Sequence, residues 1–442
     1  MRARLYIYVL FVLALFDVLS GVLRFAFALV GRPYLFYLPK VLVVLALVVE
    51  GFAFARKGRV ARLTVGIALL LAESAVVGLV TLPSRGQVWF GLYLLLPLVF
   101  AAISARAVVV NPQLCGKLVG ILWIIAAIGV VFAWLVPAPW VGFEYQAGGV
   151  TLRASREWTT GGVPRIAGFS AASDAVAYQL LFLAIPIAIL WRRRTLALVV
   201  WIVTGALLVV TTSKTAIGVL IAFSIVIPMM RWRIVPRGVK RGIGASLPWL
   251  VTAIAVGLPL STLFIDYNVS FMSGMQGILF NSFGDRLGQT WPGAFVLIGK
   301  HGSYVFGRGA GGIDTAQSIF EPSLHIPSDN MFVFGYCTFG LLFLPALFAF
   351  TRRLGRARVG SSSTALLAWA LAVAALTAGW TVGNLQGGFG TLAIGLAAGY
   401  VFHSAGRRRV QYLHGDADGR QRLRAAAKVV PVRDGGTQQV AD

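Results

Sequence analysis

The feature that most constrains this chain is a series of apolar runs, each long enough to cross the hydrocarbon core of a bilayer, which is about 30 Å thick. Only helices or closed barrels satisfy their backbone hydrogen bonds in hydrocarbon, and runs of this length favour helices. We therefore predict an all-α polytopic membrane protein with about 12 transmembrane helices. The runs lie near residues 5–27, 35–55, 63–82, 88–108, 118–136, 170–190, 195–212, 215–230, 245–265, 329–350, 364–382 and 386–403.

The basic residues predict how these helices are oriented. The chain carries 39 Lys and Arg against 15 Asp and Glu, a formal net charge of +24. With the amino terminus in the cytoplasm, 28 of the 39 fall in cytoplasmic segments and in the tail. The positive-inside rule then places both termini in the cytoplasm. Topology and the anionic inner leaflet account for the basic excess, so nucleic acid is not an expected partner.

Other classes are excluded by simple counts. Cys115 and Cys337 are the only cysteines, which leaves no disulfide framework and no thiolate zinc site. The first apolar run contains Asp17 and continues into Arg24 without a small-residue cleavage site, so we expect a retained helix rather than a removed signal peptide.

Two long loops are predicted on the outer side of a transmembrane domain that spans 1–402. They cover 137–164 and 266–328, and long loops in compact proteins are usually functional. About half of the acidic residues lie in or beside these loops, which predicts chemistry on the outer face. Residues 403–442 form a basic tail that we expect to be disordered and to face the inner leaflet.

The first candidate site feature is GVPRIAGFSAASDA, residues 162–175. Arg165 stands at the outer entrance of the sixth run, where an arginine commonly anchors a helix at the membrane interface. The small residues that follow it permit a broken backbone or a close approach of a ligand. Asp174 lies further in, and an ionisable residue at such a depth indicates function.

The second feature is TTSKTA, residues 211–216, between two runs with almost no connecting loop. On one interpretation, this segment is a hairpin turn capped by hydroxyl side chains. On the other, Lys214 and the free amides at the start of the following helix form an anion site.

The third feature is the stretch from Asp285 to Gly312. Its apolar residues recur at spacings of three and four after Arg286, which predicts an amphipathic helix along the membrane surface. GRGAGG formally matches a dinucleotide fingerprint, but the required strand and cytosolic nucleotide are not expected here. Its glycines fit a tight turn beside Arg308 or a close approach to a phosphate or sugar. Arg286 suits either anchoring or a phosphate contact.

The fourth feature is HIPSDN, residues 325–330, where the second loop returns to the membrane. Ser328 or Asp329 would suit the cap of the next helix. Asp329 with Asn330, or His325, would equally suit a base and a hydrogen-bonding partner for a sugar hydroxyl.

The order of these four features along 160–350 resembles the O-antigen polymerase and O-antigen ligase superfamily of bacterial envelopes. The shared features are an Arg-x-x-Gly-Phe entrance, a T-x-S-basic-T-A turn, a large outer loop with an early Arg, and a D-N or H-N pair at its end. The resemblance implies a GT-C-like glycosyltransferase architecture in the inner membrane. It also implies transfer of glycan from undecaprenyl diphosphate at the outer face, with no cofactor and no metal.

By matched position, the resemblance implies that Arg165, Lys214 and Arg286 bind the diphosphate, and Arg308 beside them is a further candidate. Lys214 stands where the family often has Arg, which loses bidentate geometry. Many ligases have His directly before the Asn that matches Asn330. This chain has Asp329 at that position, which favours a polymerase. Protein partners of such an enzyme include a chain-length regulator and a flippase of the same pathway.

The chemistry of the residues supports the same interpretation. Breaking an anomeric bond to a diphosphate develops negative charge on the leaving oxygen, which preorganised cations stabilise. A carboxylate or an imidazole removes the proton of the acceptor. We expect the helix dipole to lower the pKa of Asp329, which weakens it as a base, while the ordinary pKa of a histidine suits His325 to proton transfer. Motif position favours Asp329, and both remain candidates.

Two alternatives remain. A ligase that moves finished glycan to another acceptor uses the same face and the same donor. A transporter or a lipid-linked-sugar flippase also has about twelve spans and would use polar residues at the midplane, for which Asp17 and Glu73 are candidates. The two large outer loops fit a transporter poorly.

Overall fold

The computed structural model describes residues 2–57, 62–147, 149–160, 162–232, 234–267, 281–357, 359, 362–383 and 385–403. The chain is mostly helical (76%), with little sheet, so the prediction of an all-α polytopic protein is confirmed at this level. Residues 404–442 of the predicted tail and 268–280 of the second loop lie outside the described residues.

The helices follow the apolar runs of the sequence closely. The first half contains α1 (Arg2–Val18), α2 (Ser20–Leu29), a 3-10 turn (Pro33–Tyr37), α3 (Leu38–Lys57), α4 (Arg62–Thr81), α5 (Arg85–Val110) and α6 (Pro112–Leu135). The middle contains α7 (Ser173–Leu190), α8 (Arg194–Thr211), α9 (Lys214–Arg231) and α10 (Arg237–Ser261). The remainder contains α11 (Trp291–His301), α12 (Thr315–Phe320), α13 (Met331–Phe339), α14 (Phe343–Gly355), α15 (Ser363–Ala378) and α16 (Gly388–His403).

Within the described residues, nine helices are long and apolar enough to cross a membrane, with α13 and α14 counted as one. The pair α1 and α2 makes a tenth if it is one span, and it is bent by 78° at the break between its helices. Helices α15 and α16 are apolar but shorter. The chain therefore has several membrane-crossing helices, and the count of twelve stays a prediction.

Helix α7 lies at the centre of the helical bundle. In its apolar window 78% of the residues are buried, against 28% for the neighbouring α8. Helix α15 packs against α7, and its many alanines are almost all buried, because small side chains let helices approach closely. Polar side chains on the first turns of α7 are consequently surrounded by protein.

The first predicted loop folds into two antiparallel hairpins. Strands β1 (Glu144–Ala147) and β2 (Val150–Arg153) pair with each other, as do β3 (Thr159–Thr160) and β4 (Val163–Pro164). The chain then turns at Gly168, which has a left-handed φ of +61° and packs against the backbone of α6. The indole of Trp140 donates to the Gly168 carbonyl at 2.8 Å. These contacts fix the segment that carries Arg165.

The second predicted loop contains the expected amphipathic helix. A π-helical turn (Arg286–Thr290) leads into α11. The apolar face of α11, including Trp291, Ala294 and Ile298, is buried and packs on α13. The apolar spacing predicted burial correctly, but the buried face contacts protein, whereas the sequence prediction placed it on the membrane surface.

The glycine-rich stretch 306–312 packs between α4 and α5. The Thr81 hydroxyl donates to the Arg308 carbonyl at 2.7 Å, and Ala310 N–H donates to the Ser74 carbonyl at 2.9 Å. The Gln87 amide donates to the Gly311 carbonyl at 2.9 Å. Gly309 has a φ of +78° and lies against the backbone of α4, where a side chain would not fit. These glycines therefore permit a close approach between the loop and two helices.

Candidate active site

The centre of the candidate site is an ion pair between the two ends of the described part of the second loop. Arg286 Nε lies 3.3 Å from Asp329 Oδ2, although this N–H is not aligned as a hydrogen bond. The Arg286 side chain is 16% exposed and that of Asp329 39% exposed. The pair is thus largely enclosed, with the Asp329 carboxylate still partly accessible.

The orientation of Arg286 is set by groups on the protein. Its Nη1 donates to the Ser282 carbonyl at 3.0 Å and to the Ser282 hydroxyl at 2.7 Å. Its Nη2 donates to the Thr381 carbonyl at 3.3 Å. Thr381 follows α15, so the guanidinium joins the second loop to the bundle.

Arg165 is the second cation of the site. Its backbone N–H donates to the Trp158 carbonyl at 2.8 Å, and its guanidinium lies 4.9 Å from the centre of the Trp158 ring. Its Nε is buried and has no hydrogen-bond acceptor among the described residues. Burial lowers the pKa of Arg165, Asp174 opposes this shift and Arg286 adds to it. A guanidinium remains protonated in spite of such a shift, so the site keeps an unsatisfied positive donor.

Lys214 is the third cation. It is exposed at the first position of α9, directly after Ser213 and a left-handed Thr212 with a φ of 57°. The charge of Lys214 interacts with those of Arg165 and Arg286. Three cations that are far apart in sequence are therefore near enough for their charges to interact, and one of them lies at a helix N-terminus, where the helix dipole also attracts anions.

Hydroxyl groups from α7, from α9 and from the segment after α15 lie beside these cations. The Thr381 hydroxyl is 3.0 Å from the Thr215 hydroxyl and 3.3 Å from the Tyr178 hydroxyl. Thr215 follows Lys214, and Tyr178 projects from the buried α7. Such hydroxyls can donate to, or accept from, a sugar or a phosphate.

Burial and the neighbouring charges both act on the pKa of Asp329. Burial raises its pKa, Arg286 lowers it, and the carboxylates of Asp314, Asp174 and Asp285 raise it further. The expectation that the helix dipole would lower this pKa is wrong, because burial outweighs the favourable charges. Asp329 also has a left-handed φ of 41°. A strained residue at a candidate site fits a functional constraint.

Asn330 holds Asp329 in place. It is fully buried, and its Oδ1 accepts from Phe332 N–H at 2.7 Å and from Val333 N–H at 3.1 Å. Its Nδ2 donates to the carbonyls of Ala255 and Trp380. The helix cap that the sequence assigned to Ser328 or Asp329 therefore belongs to Asn330. Because its amide is fully engaged within the protein, we assign it a positioning role.

Arg308 lies outside the cluster. Its side chain is 2% exposed, and its Nη2 lies 2.8 Å from Glu321 Oε1. Nε donates to the His301 carbonyl at 3.1 Å and Nη1 to the Gly312 carbonyl at 2.7 Å. These bonds hold the loop together, and they give no support to the predicted diphosphate contact.

His325 is exposed on the loop that precedes Asp329. The neighbouring Ile326 N–H donates to Gln317 Oε1 at 3.1 Å, which fixes the backbone there. No contact within the described residues joins the His325 side chain to Asp329 or to the three cations.

The sequence interpretation missed two residues of the site. Thr381 follows the end of α15, although the predicted span continues to residue 382, and the glycine-rich sequence GWTVG is a signal for that earlier end. Tyr178 is a single hydroxyl in an apolar run, and no pattern in the sequence distinguished it from the other tyrosines.

Comparisons with protein-family models, curated proteins and solved structures give no match to this chain. The described residues contain no group of three or more His, Cys, Asp and Glu side chains that could hold a metal ion.

Proposed function

We propose that this protein is a glycan polymerase that joins oligosaccharide repeat units carried on undecaprenyl diphosphate. The observation that supports this most is that the charges of Arg165, Lys214 and Arg286 interact with one another and that Arg286 is paired with the Asp329 carboxylate. The sequence features are those by which the chain resembles O-antigen polymerases. A cationic cluster next to a base is what transfer from a lipid diphosphate requires.

The transfer has one bond broken and one formed. A hydroxyl oxygen of the acceptor sugar attacks the anomeric carbon of the donor, and the bond from that carbon to the diphosphate oxygen breaks. The hydroxyl proton passes to the Asp329 carboxylate. The electron pair of the broken bond remains on the diphosphate, whose additional negative charge lies against the three cations.

The geometry suits each part of this step. Arg165 and Arg286 have buried Nε–H groups that lack an aligned acceptor among the described residues, so a diphosphate can supply one. Lys214 contributes a compact charge at a helix N-terminus. The raised pKa of Asp329 makes its carboxylate a better proton acceptor than an ordinary aspartate.

The proposal includes the setting of the reaction. The enzyme is a multi-pass protein of the bacterial inner membrane with a GT-C-like arrangement of about 12 spans, cytoplasmic termini and an outward-facing site. Its products serve capsule, exopolysaccharide or O-antigen biosynthesis. Its expected partners are the bilayer, the lipid-linked glycan, and a chain-length regulator or flippase of the same pathway.

The test is chain growth by the purified protein given lipid-diphosphate-linked repeat units. We expect Asp329→Asn to abolish growth, because the amide keeps the shape of the side chain but cannot accept the proton. His325→Ala is the matched control and should retain a measurable part of the activity. The reverse result would make His325 the base.

The same assay separates the other functions. Transfer of one finished glycan to a different acceptor, with no growth of the chain, would identify a ligase. Movement of the intact lipid-linked sugar across vesicles, without formation of any glycosidic bond, would identify a flippase and contradict the proposal.

A further inference from the structure

The turn that follows α11 exposes three consecutive apolar side chains. Those of Tyr304, Val305 and Phe306 are each about half exposed. Their backbone is nevertheless held in place, because the Tyr336 hydroxyl donates to the Tyr304 carbonyl at 2.7 Å and Leu341 N–H donates to the Val305 carbonyl at 2.8 Å. A fixed backbone that keeps an apolar group on the surface indicates contact with an apolar partner.

This turn packs well below the end of the span formed by α13 and α14. The span runs from Met331 to Gly355, and the turn contacts it at Gly340, nine residues from its start. At about 1.5 Å per residue the 25 residues measure about 37 Å, roughly 7 Å more than the hydrocarbon core, and nine residues measure about 13 Å. Gly340 is therefore at least about 6 Å inside the core, even if the whole excess lies on the side of Met331.

The segments before and after the turn follow the same path. On the way in, the Phe295 ring of α11 lies 6.1 Å from the Tyr336 ring of α13. On the way out, Ala310 N–H donates to the Ser74 carbonyl at 2.9 Å, and Ser74 lies seven residues, or about 10 Å, before α4 ends at Thr81. The second loop thus descends with α11, turns, and returns between α4 and α5.

Two glycines permit the turn to dock on the span. Gly307 and Gly340 have left-handed φ values of +74° and +56°. A side chain at Gly307 would collide with the Cys337 carbonyl, and one at Gly340 would collide with the Val305 carbonyl. The span is therefore interrupted at the point where the turn meets it.

The backbone of the turn is hydrogen-bonded almost throughout within the protein. The N–H groups of Ser303, Val305, Phe306 and Gly307 donate to protein oxygens, and the carbonyls of Ser303, Tyr304, Val305 and Gly307 accept from protein donors. Hydrocarbon supplies no hydrogen-bond partner, so backbone groups at membrane depth have to be satisfied internally. A turn in water could leave the same groups to the solvent.

The apolar tip continues an exposed row on the span itself. Leu341, Leu344 and Phe348 are exposed and recur at spacings of three and four, and such a row on a membrane-crossing helix faces hydrocarbon. Lys300 and His301, at the end of α11, are exposed as well. Side chains of these types keep an apolar body in hydrocarbon and extend a polar tip toward the headgroups.

We propose that Tyr304, Val305 and Phe306 form the tip of a re-entrant hairpin that contacts the hydrocarbon chains of the leaflet next to the candidate active site. The predicted outer loop 266–328 then lies partly inside the membrane. This contact does not depend on the proposed function, because a ligase or a transporter with the same fold would make it too.

The test measures which collision partner reaches a nitroxide on the full-length protein in phosphatidylethanolamine and phosphatidylglycerol vesicles. Oxygen concentrates in hydrocarbon, whereas nickel ethylenediaminediacetate stays in water. We expect the label on Val305→Cys to favour oxygen, as a label on Phe348→Cys should. Thr151→Cys, on the exposed strand β2, is the matched water-facing control. Both native cysteines are buried, so the unsubstituted protein gives the blank.

Two results would overturn the proposal. Preferential access of the nickel reagent to Val305→Cys would show a turn that lies in water. Low access of both reagents at a high ratio of lipid to protein would show that another protein surface, such as a second copy of the chain, covers the tip.

A charge at the tip provides a test without a label. Val305→Asp places a carboxylate in hydrocarbon, which is costly, so we expect a several-fold loss in the yield of folded protein from membranes. Val305→Leu should keep the wild-type yield, and so should Thr151→Asp on the first loop. Equal yields of Val305→Asp and Thr151→Asp would contradict the contact with hydrocarbon.

Discussion

Arg286 and Arg308 belong to the same loop and are both paired with a carboxylate, yet their surroundings differ. Arg308 is 2% exposed, and each of its three guanidinium nitrogens donates to a protein oxygen. Arg286 is 16% exposed, and its Nε faces Asp329 without an aligned hydrogen bond.

The difference distinguishes an arginine whose donors are all used within the protein from one that keeps a donor for a ligand. A guanidinium whose donors are all satisfied inside the protein stabilises a fold, because an anionic ligand would first have to break those bonds. A guanidinium with an unsatisfied donor beside a partly open carboxylate retains capacity for a ligand. We therefore expect Arg308 variants to lose stability and Arg286 variants to lose activity.

The largest effect is expected for Arg308→Ala. It leaves Glu321 buried without its cation, and breaking a buried pair in this way costs about 3–5 kcal/mol in the free energy of unfolding. The measurement is the yield and the thermal midpoint of the purified protein. Arg308→Met/Glu321→Gln should recover part of the loss, since Gln87 can still bond the residue at 321. Normal stability of Arg308→Ala with lost chain growth would make Arg308 a ligand-binding residue.

A somewhat smaller effect is expected for Arg286→Ala, measured as turnover. Loss of one preorganised group that stabilises developing charge costs about 10²- to 10³-fold in rate. Arg286→Lys should restore only part of the rate, because lysine lacks the fork that bonds Ser282 and Thr381 together. The thermal midpoint should stay near that of the wild type. A large fall in the midpoint would show that Arg286 stabilises the fold, as Arg308 does.

The smallest effect is a shift in pH dependence. Asp329 must be ionised to accept a proton, so the rate falls as the pH drops through its pKa, which burial raises and Arg286 lowers. Arg286→Gln removes the lowering charge, the pKa of Asp329 rises further, and the acid limb of kcat/KM moves to higher pH. Arg286→Lys keeps the charge and should leave the limb close to its wild-type position. Movement to lower pH would exclude Asp329 as the group that titrates.

The sequence predicted a mostly helical chain with long apolar helices, because that level of the fold depends on local composition. It also singled out Arg165, Lys214, Arg286 and Asp329, which the structure brings together. It could not separate Arg308 from Arg286, since both are arginines in a glycine-containing loop, and the distinction depends on the partner Glu321 and on burial.

Other parts of the site depend on contacts that spacing does not encode. The apolar face of α11 was visible in the sequence, but its packing on α13 was not. The pKa of Asp329 was expected to fall with the helix dipole, whereas burial among neighbouring carboxylates raises it. Thr381 joined the site because a helix ends earlier than its apolar run.

The packing of 306–312 between α4 and α5 restricts how the second loop can move. Thr81, Ser74 and Gln87 bond this stretch at the Arg308 carbonyl, the Ala310 N–H and the Gly311 carbonyl, so lifting it would break all three contacts. The second loop therefore cannot swing away as a whole in the manner of a hinged lid. Under the proposed function, we expect lipid-linked substrates to reach the site without displacement of this stretch.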